Sequence, residues 1–212
     1  MLKFLEKSGC VEFNELSNEQ AQDVTSGGKK PAKKLSMREN IISWIKVIVS
    51  AVVIAFILKT FFVVTATVMS GSMENTVMTG DSIVCNRLAY LFGEPERFDI
   101  IAFNFTEPHG ETRVYVKRII ALPGETVEIL DGKVYIDGSS EALPDDFVDP
   151  NSYSFDNRSP YEVPEGHYFV LGDNRYNSYD SKDWLYPYLA KDDILGKAAF
   201  KYYPGVKWLG NA

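Results

Sequence analysis

Three short segments of this chain hold serine, lysine and other polar residues that a plain β-domain would not need there. The first is Met69-Ser70-Gly71-Ser72-Met73-Glu74-Asn75-Thr76 and the second Tyr115-Val116-Lys117-Arg118-Ile119-Ile120-Ala121-Leu122-Pro123-Gly124. The third is Gly172-Asp173-Asn174-Arg175-Tyr176-Asn177-Ser178-Tyr179-Asp180-Ser181-Lys182. Taken singly, each has an ordinary reading. Ser70-Gly71-Ser72 is a turn after a strand, Lys117 a solvent-facing strand lysine, and Gly172–Asn177 an Asx-rich loop. Together they allow nucleophilic catalysis. A serine hydroxyl needs a base, and both histidines are poorly placed to serve: His167 follows the turn Pro164-Glu165-Gly166, and His109 sits in the polar loop Glu107–Glu111. The remaining way to activate Ser72 is a lysine held neutral by desolvation. Lys117 has apolar company in Val116, Ile119 and Ile120, so folding can bury its amine and lower its pKa.

These segments need a frame, and the pattern after residue 60 is of short, β-branched, turn-punctuated runs. Candidate strands are Phe61–Met69, Ser82–Asn86, Ile100–Phe105, Thr112–Ala121, Thr126–Leu130, Lys133–Ile136, His167–Leu171 and Ile194–Tyr202. Asp131-Gly132 between two of these runs is a two-residue hairpin signal, and Pro123-Gly124 marks another turn. Ser139–Pro164, rich in Pro, Asp, Ser and Asn without periodicity, reads as a long excursion from the sheet. The expected fold class is mainly β, an antiparallel sheet domain preceded by one transmembrane helix.

That helix is the run Ile41–Leu58, whose eighteen residues carry one charge, Lys46. At 1.5 Å per residue it reaches roughly 27 Å, enough to span a bilayer. Lys46 and Lys59 can snorkel toward headgroups at either end. A core helix apolar on every face is rare in a soluble domain of this size. A cleaved secretory signal fits poorly with a run that begins some forty residues in and lacks a small-residue cleavage site. The run reads as a retained signal anchor. Five basic residues, Lys29, Lys30, Lys33, Lys34 and Arg38, flank its N-terminal side and place the N-terminus in the cytoplasm. The expected division is 1–40 cytoplasmic tail, 41–60 anchor and 61–212 extracytoplasmic catalytic domain.

Charge and composition exclude other classes. Residues 61–212 hold thirteen basic and twenty-three acidic side chains, a surface that repels a phosphate backbone, so no nucleic-acid partner is expected. With Cys10 and Cys85 alone there is neither a disulfide scaffold nor a Cys-based zinc site, and two separated histidines do not make a metal centre. No metal and no cofactor are expected.

At the three segments the sequence resembles bacterial type I signal peptidases, membrane-anchored Ser-Lys proteases that remove signal peptides from exported preproteins. The resemblance spans roughly residues 40–203, with Ser-Gly-Ser-Met, Lys-Arg-Ile-Ile-x-Leu-Pro-Gly and Gly-Asp-Asn-Arg-x-Asn-Ser-x-Asp-Ser in the family's order. It implies that Ser72 is the nucleophile, Lys117 the general base, Ser70 a hydroxyl donor to the oxyanion and Ser178 the partner orienting the lysine amine. Asp173, Arg118, Asp180 and Lys182 would form a supporting ion-pair layer. The preprotein would add as a strand beside the segment before Ser72, with Val68, Met69 and Val116 lining small apolar pockets. The implied partners are preproteins and the lipid bilayer, and the implied location is the cell membrane, crossed once. Four residues depart from the family pattern: Asn75 stands where Pro is usual, Phe98 where Gly is usual, Tyr176 where an acid is usual, and Lys182 where Arg is commoner. Two other readings are a self-processing Ser-Lys protease of the same β-fold, which would be soluble, and a tethered binding module that has lost catalysis.

Overall fold

The computed structural model describes residues 37–155 and 157–210. The tail with Cys10 and the cluster Lys29–Lys34 lie outside them. The chain divides into two units, residues 1–46 and 47–212. Helix α1 runs Met37–Phe62, 26 residues with no buried side chain and an 18-residue stretch of mean hydropathy 2.6, long and apolar enough to cross a membrane.

The remainder is antiparallel β. In chain order the strands are β1 (Val63–Thr67), β2 (Ser82–Asn86), β3 (Ile100–Thr106), β4 (Thr112–Ala121), β5 (Thr126–Leu130) and β6 (Lys133–Ile136). They continue with β7 (Arg158–Glu162), β8 (His167–Leu171), β9 (Leu189–Ala190), β10 (Ile194–Tyr203) and β11 (Lys207–Trp208). One sheet has the order β1-β2-β10-β3-β4-β8-β9, with β11 paired to β10. A second, smaller sheet has the order β6-β5-β7.

All eight expected strands form, with two corrections at the edges of the reading. Phe61 and Phe62 end α1 instead of starting β1, because a helix once under way adds a hydrogen bond for each residue it extends. Inside the expected excursion, Arg158–Glu162 pairs with β5 as an edge strand. Pro160 hid it, and Pro is tolerated there because an outer strand leaves an N–H position facing away from the ladder.

The large sheet is buried on both faces where the candidate residues lie. Ile100, Ala102 and Val116 face a core with Val68, Met73, Val77, Ile83 and Cys85. Farther along the same face, Ile120, Phe169 and Leu171 pack on Val127 and Ile129 of the small sheet. The other face packs Ile101, Phe103, Ile119, Tyr168 and Val170 with Trp184. β4 therefore passes from an exposed start to a stretch buried on both sides, and Lys117 and Arg118 enter that stretch on opposite faces.

Candidate active site

Lys117 lies mid-sheet, paired in register with Ile101 of β3, and is 3% exposed. Its Nζ donates to Ser178 Oγ at 3.0 Å. Burial brings its pKa down from 10.5 to about 8; Asp180 and Asp173 pull it upward, and Lys182 adds to the lowering. The solvent-facing alternative for this lysine is thereby overturned: the strand is covered on that face by the aromatic cluster of Tyr115, Phe105 and Trp184.

Ser72 sits in a 3-10 turn, Gly71–Met73, entered from the extended Ser70. Met73 is fully buried and anchors the turn in the core beside Val77. Ser72 is buried, with its Oγ 3.2 Å from Ser70 Oγ. The turn is tied to the third segment by main chain, since Asn174 N donates to the Ser72 carbonyl at 3.0 Å and Asn174 Nδ2 to the Gly71 carbonyl at 3.1 Å. At Gly172 a Cβ would stand 2.4 Å from the Ser72 carbonyl oxygen and 2.2 Å from Ser178 Oγ. Serine turn and lysine partner thus meet across one glycine.

The ion pairs lie on both sides of this meeting point. Arg118 donates through Nε and Nη2 to the two oxygens of Asp173 at 2.9 and 2.8 Å, with both residues fully buried, and through Nη1 to the Phe98 carbonyl. Asp173 also accepts from Thr76 Oγ1 at 2.5 Å. Asp180 accepts from Gly172 N, and Lys182 Nζ donates to Asp180, Asp183 and the Ser178 carbonyl within 3.3 Å. An ammonium makes these three contacts as a point donor, without the bidentate fork of an arginine.

Of the expected pocket residues, Val68 is buried in the core, Val116 packs half-buried against it, and Met69 is 86% exposed. Three residues with no expected role, Thr76, Gly172 and Asn174, hold the segments together. Their signal was membership of the same motifs. Asn75 and Phe98, two departures from the family pattern, both have left-handed backbones, φ 86° and 71°. A proline ring fixes φ near −65°, so Asn75 occupies a turn that Pro could not adopt. No cluster of His, Cys, Asp and Glu able to hold a metal ion occurs among the described residues.

The class is that of a serine peptidase built on a β-domain behind an apolar helix. Residues 41–203 match the model of the family described as signal peptidase, peptidase S26, and the chain belongs to that family. Among its relatives, a probable signal peptidase I-2 of Synechocystis sp. is 35% identical over 179 residues, covering 81% of this chain and 78% of the relative. Signal peptidase I S of Bacillus subtilis is 34% identical over 182 residues, covering 82% and 95%. A solved signal peptidase I from Enterococcus faecalis is 36% identical with a TM-score of 0.40, covering 50% of this chain and 97% of that one.

Proposed function

We propose that this signal peptidase cleaves preproteins with Ser72 as nucleophile and Lys117 as general base. The observation that carries the reading is the buried Lys117 amine held by Ser178 while Gly172 brings Ser178 and the Ser72 carbonyl together. Ser72 Oγ attacks the scissile carbonyl and its proton passes to the neutral amine. Lys117 then protonates the departing amine of the mature chain, leaving an acyl-enzyme ester. Water, deprotonated by the same amine, hydrolyses that ester and restores Ser72. The Ser72 N–H and the Ser70 hydroxyl stabilise the oxyanion. Ser178 fixes the direction of the lysine lone pair, and the Arg118–Asp173 and Lys182–Asp180 pairs support the two segments. The substrate lies as a strand along Val68 and Met69, with Val116 opposite. Residues 41–60 anchor the chain in the membrane, 1–40 stay cytoplasmic and 61–212 act outside.

Ser72→Ala and Lys117→Ala should each abolish cleavage of a labelled preprotein while leaving the circular dichroism of the full chain unchanged. Because the two act as a unit, the double variant should be little worse than either alone. Cleavage by folded, pure Ser72→Ala would overturn the dyad.

A further inference from the structure

Phe147 belongs to the polar excursion between β6 and β7, yet it reaches three separate parts of the catalytic framework. Its carbonyl accepts from Asn75 Nδ2 at 2.8 Å, in the turn that follows Ser72. Its ring lies 4.0 Å from the Arg118 guanidinium carbon and 5.8 Å from the Phe98 ring. The in-plane donors of Arg118 are engaged by Asp173 and by the Phe98 carbonyl, so the ring covers the flat face of the guanidinium. A cation on an aromatic face is attracted to it, and a covered face also keeps water from the ion pair beneath. Asn75 and Phe98, two of the residues that Phe147 touches, both hold left-handed backbones, a conformation that persists only where the surroundings enforce it.

From these contacts we infer that Phe147 is a positioning residue for the reaction, locking the Ser72 turn to the strand that carries Lys117. The inference rests on the dyad reading above. One arm is the Asn75 hydrogen bond to the turn. The other passes through Arg118, the neighbour of Lys117 on β4, to Asp173, which holds Thr76 at the far end of the same turn. Both arms end on residues that flank the nucleophile and the base, and Phe147 itself touches neither. Its removal therefore loosens the alignment of Ser72 with Lys117 and leaves substrate binding alone.

The test is steady-state cleavage of a preprotein by the full chain in detergent micelles, well below the melting temperature of each variant. Phe147→Ala should lower kcat about tenfold or more with KM within about twofold, since small misplacements of reacting groups are felt in the chemical step. Phe147→Tyr, which keeps the aromatic face, should stay within about twofold of the parent, and Phe147→Leu should fall between. Asn75→Gly, which accepts the left-handed backbone but lacks the amide donor, should lower kcat several-fold. If Phe147→Ala does not fold, the Tyr and Leu variants decide, and equal kcat in both overturns the inference. So does a parental kcat in folded Phe147→Ala, or a loss confined to KM. Ser72→Ala runs in parallel: inert Ser72→Ala beside a fully active Phe147→Ala overturns the positioning role alone, while active Ser72→Ala overturns the dyad and with it the inference.

Discussion

An amine at 10.5 is neutral in fewer than about one molecule in a thousand at pH 7, whereas one at about 8 is neutral in about one in ten. Burial of Lys117 thus raises its neutral fraction roughly a hundredfold or more, which is what the proposed general base requires. The pH profile of kcat/KM should rise along an acid limb centred near 8, and a limb near 10 would show that another group is the base. Lys117→Arg should be inert across this range, because guanidinium does not deprotonate. Ser70→Ala should be milder, losing one oxyanion donor at about 2.7–4 kcal/mol, read as kcat. The same lowering has a thermodynamic counterpart. Between about 8 and 10.5 the unfolded chain holds the lysine proton and the folded one does not, so stability rises with pH through that window and is lowest below it. Lys117→Met should accordingly be more stable than the parent by about 1–3 kcal/mol at pH 6, with the gap closing toward pH 10. Chemical denaturation at the two pH values measures it.

Elements meet at the end of β8, where Gly172 admits the Ser72 carbonyl and Ser178 into space that a side chain would fill. Gly172→Ala must push one of the two aside. Because the Ser72 carbonyl is main chain and cannot swing away, kcat should fall about 100-fold in a folded protein. Parental activity in that variant would mean the segments meet elsewhere. The Arg118–Asp173 pair joins β4 to the same loop with both partners fully buried. Asp173→Asn removes the carboxylate that Nε and Nη2 of the buried Arg118 grip and should cost about 3–5 kcal/mol. For a domain of this size that is a Tm lowered by about 6–20 °C, checked by thermal circular dichroism.

At the scale of the whole molecule, the proposed arrangement has the apolar helix hold the chain at the membrane and the acidic β-domain cut. Cys10 on the proposed cytoplasmic side should be protected from an impermeant thiol reagent in sealed cells and labelled after permeabilisation. Labelling of Cys10 in sealed cells would reverse the orientation. Cys85 should be silent in both conditions, since it is fully buried in the core and burial pushes its thiol up to about 12. Denaturant should expose it, and only then should the second label appear.

Local pattern was enough to read the apolar helix, eight of the eleven strands and the three polar segments, because period, turn residues and apolar runs are properties of neighbours along the chain. Ser72, Lys117 and Ser178 could be picked out by residue type and motif. Tertiary structure decided what lies between them. Thr76 meets Asp173 across 97 residues and Asn75 meets Phe147 across 72, and no local periodicity carries such pairings. Whether Lys117 faced water or the core was equally undecided by alternation, which assigns Lys117 and Arg118 to opposite faces but does not say that both are covered. That depended on Phe147 from the excursion closing over Arg118 and on the aromatic cluster with Trp184 packing against the other face. Desolvation, and with it the lowered pKa of the lysine, is a property of the assembled sheet.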